Sequence, residues 1–213
     1  MYQPAHFRED RRAVQHELIR AHSLGLLVTG GPGGLQANHL PFLIDDDGSQ
    51  HGTLRAHLAR ANPQTVELAA VEECMVVFQG PQTYISPSLY PTKREHGKVV
   101  PTWNYITVHA WGRPRVIDDP VWLRRQIEDL TTHKEETLAA PWKVSDAPES
   151  YVASQIKGIL GIEIAIVRIE GKWKVSQNRP AVDQAGVVAG LRGGGDDAKV
   201  MANLVAERGK GGP

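Results

Sequence analysis

Five polar clusters in this chain hold side chains suited to gripping an anion and a flat ring. AHLARANP gathers His57, Arg60 and Asn62 at an expected strand-to-helix junction. Helix N-terminal amides point outward from such a junction, and arginine adds a bidentate fork. ANHLPF sets His39 shortly before Pro41, while FQGP and TYISPSLY supply a rigid, aromatic-bearing loop. KVSQNR, residues 174–179, brings a cation, a hydroxyl, two amides and a guanidinium together in six residues. Each cluster alone is compatible with ordinary turn chemistry. Together they point to a polar, planar ligand that carries phosphate.

The segment KVVPTWNYITVHAWG, residues 98–112, adds the rings. Strand alternation puts Asn104, Ile106, Val108 and Ala110 on one face, small and aliphatic as in a barrel interior. Trp103, Tyr105, Thr107, His109 and Trp111 fall on the other. Large aromatics interleaved with hydrogen-bonding groups need a second layer over them: a ligand, a helix or another subunit.

Familiar catalytic signatures are missing. There is no G-x-S-x-G elbow, and Ser86 lies between Ile85 and Pro87. GGPGG, residues 30–34, lacks the Lys-Ser/Thr of a phosphate-binding loop and reads as a hairpin turn. Cys74 sits at the edge of an apolar run and reads as a core thiol. None of the nine histidines has H-E-x-x-H or Cys/His ligand spacing, so no protein metal site is expected.

The elements that must position these clusters follow from periodicity and breakers. Residues 2–7 read as an extended arm. A helix follows, with Val14, Leu18 and Ala21 as its apolar stripe. LGLLVT (24–29), QANHLPFLI (36–44), GTLRAHL (52–58) and MVVFQ (75–79) read as strands, with a short helix at PQTVELAA. A proline-bearing loop is expected over 80–97. Helices are expected over 119–136 and 149–157. GIEIAIVRI (161–169) is expected to turn back at Glu170-Gly171-Lys172 into WKVSQN as a hairpin. The assignment is mainly β with helices added (α+β): a small barrel of six or seven strands with peripheral helices. Residues 1–191 form its domain, and 192–213 are expected as loop and C-terminal tail, partly flexible, with a helical turn or two over 199–207.

At 213 residues, 41% hydrophobic and 23% charged, the chain can bury a core without disulfides. Lys plus Arg and Asp plus Glu both number 24, so net charge gives no support to nucleic-acid binding. No helix-turn-helix pattern or basic helix is evident, and direct DNA contact is not expected. A single cysteine, a polar MYQPAHFREDRR start and no membrane-length apolar run lead to the expectation of a cytoplasmic protein free of the membrane.

MYQPAHF, LQANHLPFLI, LRAHLARANPQ, VVFQGPQTYISPSLY, VVPTWNYITVHAWG, APWKVSDAP and GIEIAIVRIEGKWKVSQNR, in this order, resemble the PaiB family. The likeness runs from about residue 1 to residue 191, with VPTWNY and KVSQN its most specific blocks. Members are described as FMN-binding negative transcriptional regulators, similar to the wider FMN-binding split-barrel proteins. The resemblance implies a six-stranded antiparallel split barrel, FMN as cofactor, and a homodimer with flavin sites at the interface. It places Asn38, His39, Leu40 and Pro41 beside the flavin ring. It puts Arg60 first at the phosphate, with His57 and Asn62 beside it. It brings Trp103, Asn104 and Tyr105 near the interface, and Lys174, Gln177 and Asn178 to the same pocket.

Two other functions stay open on this reading. One is a flavin-dependent oxidoreductase of the pyridoxamine-phosphate-oxidase-like class, with His39, His57, Tyr105 or His109 assisting proton transfer. The other is a haem-handling split barrel.

Overall fold

The apolar runs become strands and the 3.6-periodic segments become helices. A computed structural model describes residues 1–31 and 33–209. In chain order the elements are β1 (Arg8–Glu9), α1 (Arg12–Ala21), β2 (Leu24–Gly31), β3 (Gly34–Pro41), β4 (Leu43–Asp45), β5 (Thr53–Ala59), α2 (Gln64–Leu68), β6 (Cys74–Ile85), α3 (Lys93–His96), β7 (Thr102–Ile117), α4 (Pro120–Glu135), α5 (Glu149–Lys157), β8 (Ile159–Lys174), α6 (Ala181–Leu191) and α7 (Asp196–Arg208). The strands make one mostly antiparallel sheet in the order β3-β2-β6-β7-β8-β5-β4, with β1 paired to β8. Six of the strands are long, as the split barrel requires, and β1 and β4 are short additions. No described helix is long and apolar enough to cross a membrane.

The end strands of that order, β3 and β4, are consecutive in sequence with only Phe42 between them. They are one strand that bends, pairing first with β2 and then with β5. Pro41 has no amide hydrogen to continue the ladder, and Phe42 turns inward, buried, with its N–H on Ser23 O at 2.8 Å. The sheet is therefore split at this bend instead of closed by hydrogen bonds.

Contacts fall into two units. One comprises Met1–Gln15, Gln79–Val108 and the described part of Glu170–Pro213; the other comprises His16–Phe78 and His109–Ile169. In the second unit Leu27, Leu54, Val76, Phe78, Ala110, Ile162 and Ile164 are fully buried. Each of the larger ones contributes roughly 1.5–3 kcal/mol by leaving water. A smaller cluster of Leu123, Val144, Val152 and Ile156 joins α4 to α5. In the first unit α6 lies against the 3-10 turn Pro87–Leu89, because Gly186 and Gly190 have no side chain to hold Leu89 and Pro91 away. Asp183 fixes that contact by accepting from Thr92 N at 3.2 Å and Thr92 Oγ1 at 2.8 Å.

Four elements differ from expectation. Strand β8 runs straight through Glu170-Gly171-Lys172 without a hairpin. Gly171 is there for close approach: it pairs with Glu9 of β1, and a Cβ on it would lie 2.7 Å from Glu9 O. Strand β6 continues through Pro81 to Ile85, although a loop was expected from Gly80. Its pairing with β2 ends at Val77, so beyond that point a missing amide hydrogen costs nothing on that side. Residues 181–191, unassigned from sequence, form α6, and the expected last helical turns extend to the whole of α7.

Candidate functional site

The alternation in β7 has the expected inner face. Asn104, Ile106, Val108 and Ala110 are all buried. On the outer face in the first unit, Trp103 is 52% exposed and meets Tyr84, 49% exposed, edge-to-face at 6.0 Å. In the second unit the second layer over Trp111 is a side chain: the Arg168 guanidinium stacks 3.7 Å from the ring centroid.

The turn at 175–179, which follows the end of β8 in the first unit, is pinned by its own side chains. Ser176 has φ of 68°, a left-handed backbone that serine rarely adopts. Its hydroxyl accepts from Asn104 Nδ2 at 2.9 Å, and both residues are buried. Gln177 folds back, accepting from Val175 N at 2.8 Å and donating to Trp173 O at 2.5 Å. Asn178 is exposed. This arrangement presents Lys174 and Arg179 on either side of a fixed turn.

Those cations, with Lys172, form a group without carboxylate ion-pair partners among the described residues. Lys174 Nζ donates to Thr102 Oγ1 and, at 2.7 Å, to Trp103 O, both neutral oxygens. Lys172 Nζ donates to Tyr2 O at 3.0 Å and sits 5.3 Å from the Tyr105 ring centroid. Arg179 stacks at 4.6 Å on the Tyr90 ring. Burial, and then the charges of Lys172 and Arg179, push the Lys174 ammonium below the ordinary lysine range. An anion entering here would relieve that repulsion.

In the second unit the structure joins Asn38 to Asn62 through Gln64. Asn38 Nδ2 donates to Gln64 Oε1 at 2.8 Å, and Gln64 N donates to Asn62 Oδ1 at 3.0 Å. Gln64 Nε2 also reaches Thr29 Oγ1 at 3.1 Å, and Glu67 accepts from Thr29 and from Gln36. Thus α2 is seated on β2 and β3 by a seam of satisfied polar groups, and Leu40 is buried near it in sequence. His39 and Pro41 lie on the opposite face, beside Leu26 and Leu24. His57 is paired to Gly161 and half-buried, its Nδ1 has no hydrogen-bond partner, and desolvation lowers its pKa.

Arg60, expected at the phosphate, is held by acceptors of the protein. It grips both oxygens of Asp118 at 2.8 and 2.5 Å and donates to Lys157 O at 3.0 Å and Ile159 O at 3.3 Å. The Asp118 bond, joined by its charge, holds the guanidinium above the ordinary arginine value. Arg60 thus staples the end of β5 to the start of α4 and the end of α5. No group of three or more His, Cys, Asp and Glu side chains gathers as a metal site among the described residues. Burial pushes the Cys74 thiol up to about 12, as suits a core thiol.

One element that sequence reading missed bears on nucleic acid. Helices α6 and α7 pack together across a short Gly-rich connection, in the manner of an αα-hairpin. Yet α7 opens with Asp196 and Asp197, which would repel phosphate, and its Met201, Ala202 and Val205 are buried. The Gly-rich turn after an apolar segment was the available signal.

Comparisons agree with this architecture. The family model described as "Putative FMN-binding domain" matches residues 1–168. An uncharacterized protein of Emericella nidulans is 39% identical, over 99% of this chain and 98% of its own length. The Bacillus subtilis protease synthase and sporulation protein PAI 2 is 32% identical over 98% of both chains. Among solved structures, the FAD and heme binding protein from Mycobacterium smegmatis superposes with a TM-score of 0.59 at 15% identity, covering 78% of this chain and 73% of that one. That likeness concerns the fold alone. With the split sheet, the family model and the full-length PAI 2 relative in agreement, the chain belongs to the PaiB-type family of FMN-binding-domain split barrels.

Proposed function

We propose that the protein binds FMN and serves as a flavin-dependent regulator of the PaiB type. The observation that carries this reading is the set Lys172, Lys174 and Arg179. Among the described residues these three cations lack carboxylate ion-pair partners, and they share a unit with the exposed pair Tyr84 and Trp103. Cations without counter-charge suit a phosphate dianion, and exposed rings suit a flat heterocycle. On this reading Lys174 is the principal phosphate ligand and Arg60 is structural. FMN held there would supply hydride and one-electron redox chemistry. Trp103, Tyr105 and the fixed 175–179 turn would orient it.

The outer face of β2 and β3 supports a second copy as partner. Leu24 is 62% and Leu35 83% exposed, with Leu26, Val28, Ala37, His39 and Pro41 beside them across the pairing. An apolar sheet face of this kind needs a cover. The acidic start of α7 supports regulation through a partner protein or metabolite instead of direct DNA reading. The name of the Bacillus relative, which links it to protease synthesis and sporulation, supports a regulatory output.

The test is titration of FMN and of riboflavin, followed by flavin fluorescence, with protein mass measured in parallel. Wild type is expected to prefer FMN, and Lys174→Ala to lose about tenfold in FMN affinity while keeping its riboflavin affinity, the scale of one charge-assisted hydrogen bond. Equal affinity for both flavins in both proteins would overturn the assignment. A monomeric mass would remove the dimer.

A further inference from the structure

We propose that residues 1–3 form a strap over the cation group, closed on Lys172 and released when a phosphate-bearing ligand is captured; this rests on the flavin reading above. Tyr2 supplies the carbonyl that accepts from Lys172 Nζ at 3.0 Å. Its ring also stands over the same ammonium, 5.7 Å away, so that Lys172 lies between Tyr2 and Tyr105. Lys172 is only 8% exposed, whereas Tyr2 is 84% exposed. The strap hides the cation while its own ring stays in water.

The remaining anchors are polar as well. Gln3 Nε2 donates to Gly171 O at 2.5 Å, and the Met1 ammonium meets Glu170 at 2.6 Å. Of residues 1–3 only Met1 buries an apolar side chain, 7% exposed, whereas the Tyr2 ring is exposed; the core proper is entered at Phe7. Opening exchanges these three polar contacts for water and exposes one methionine, a cost that the charged oxygens of a captured ligand offset. With the strap closed, Lys174 and Arg179 are the cations available to a ligand. With it open, Lys172 joins them, and the carbonyl of Tyr2 is replaced by a charged oxygen. The ligand class is a phosphate monoester dianion on a flat ring, and the strap sets the affinity threshold for it.

The experiment compares wild type, the double variant Tyr2→Gly/Gln3→Ala, and that variant with Lys172→Met added, each titrated with FMN and riboflavin. The double variant keeps the carbonyl at position 2 but removes the Tyr2 ring and the Gln3 anchor that hold the strap closed, and it is expected to bind FMN about fivefold more tightly. Riboflavin affinity stays unchanged, which also reports an intact fold. Adding Lys172→Met removes the gain. Unchanged or weaker FMN binding in the double variant, or a gain that survives Lys172→Met, overturns the strap. If FMN preference and its dependence on Lys174 hold while the strap variants fail, only the strap falls. If no variant prefers FMN, the flavin reading falls and the strap with it.

Discussion

Asn104 and Ser176, 72 positions apart, are joined by a buried 2.9 Å hydrogen bond that holds Ser176 in a left-handed conformation. Backbone strain of this sort costs on the order of 1–3 kcal/mol and persists only where the surroundings enforce it. Here it links the two sequence blocks VPTWNY and KVSQN and fixes the turn that carries Lys174 and Arg179. Ser176→Ala should destabilise the protein by about 1–3 kcal/mol, because it leaves the Asn104 amide buried without its partner. Ser176→Gly loses the same bond but relieves the strained φ, so its loss should be smaller. Denaturant unfolding of the two variants checks the order; equal losses would show that the conformation carries no strain.

Glu9 gives a distinct acid transition. Burial by itself would raise its pKa, but hydrogen bonds from Arg11 and Arg208 override that and lower it from 4.5 to about 2. A carboxylate depressed on folding contributes stability above its unfolded pKa and loses it as pH falls through the folded value. The contribution is therefore complete above about pH 5 and fades between about 4.5 and 2. This lowering corresponds to on the order of 3 kcal/mol. Asp47 and Asp118 are depressed in the same direction, so the comparison of wild type with Glu9→Gln isolates Glu9. The variant should be less stable at pH 7 and approach wild type near pH 2. A constant difference between them across that range would refute the assignment.

The Arg60–Asp118 staple predicts coupling between the end of β5 and the start of α4. Arg60→Ala and Asp118→Ala should each lower the melting temperature, and the double variant should lose less than their sum. Asp118→Ala also tests the phosphate assignment. If Arg60 were waiting for a phosphate, freeing it from Asp118 would tighten FMN binding; the expected result is no tightening.

Local pattern made much of this molecule readable. The two faces of β7 followed from alternation alone, since Asn104 to Ala110 needed only a period of two. The cation-rich turn at 174–179 was visible as composition. What was hidden depends on distant partners. Gly171 looks like a hairpin residue until Glu9, more than 160 positions earlier, is seen lying against it. Arg60 reads from sequence as a phosphate fork, and its pairing with Asp118, which comes from 58 positions away, was not visible there. Helix α6 carries small residues on the face that meets Leu89, so its burial left little apolar period to detect. The bend at Phe42 was masked because QANHLPFLI reads as one unbroken strand.

The most direct consequence of the cation group is a pH dependence of ligand affinity. Burial and the neighbouring charges of Lys172 and Arg179 lower the Lys174 pKa, while its contacts on Thr102 and Trp103 are neutral. Lys174 in the empty protein thus loses its proton at a lower pH than an ordinary lysine. A phosphate dianion stabilises the charged form and raises that pKa again, so binding takes up a proton on the alkaline side. FMN affinity should rise through about pH 6 as the phosphate takes its second charge, then fall below the ordinary lysine range as Lys174 neutralises. Riboflavin, lacking the phosphate, should show neither limb. In Lys174→Arg the alkaline limb should disappear, because a guanidinium stays charged throughout. Titrations between pH 5 and 10 check this, and an alkaline limb that persists in Lys174→Arg would place the titrating group elsewhere.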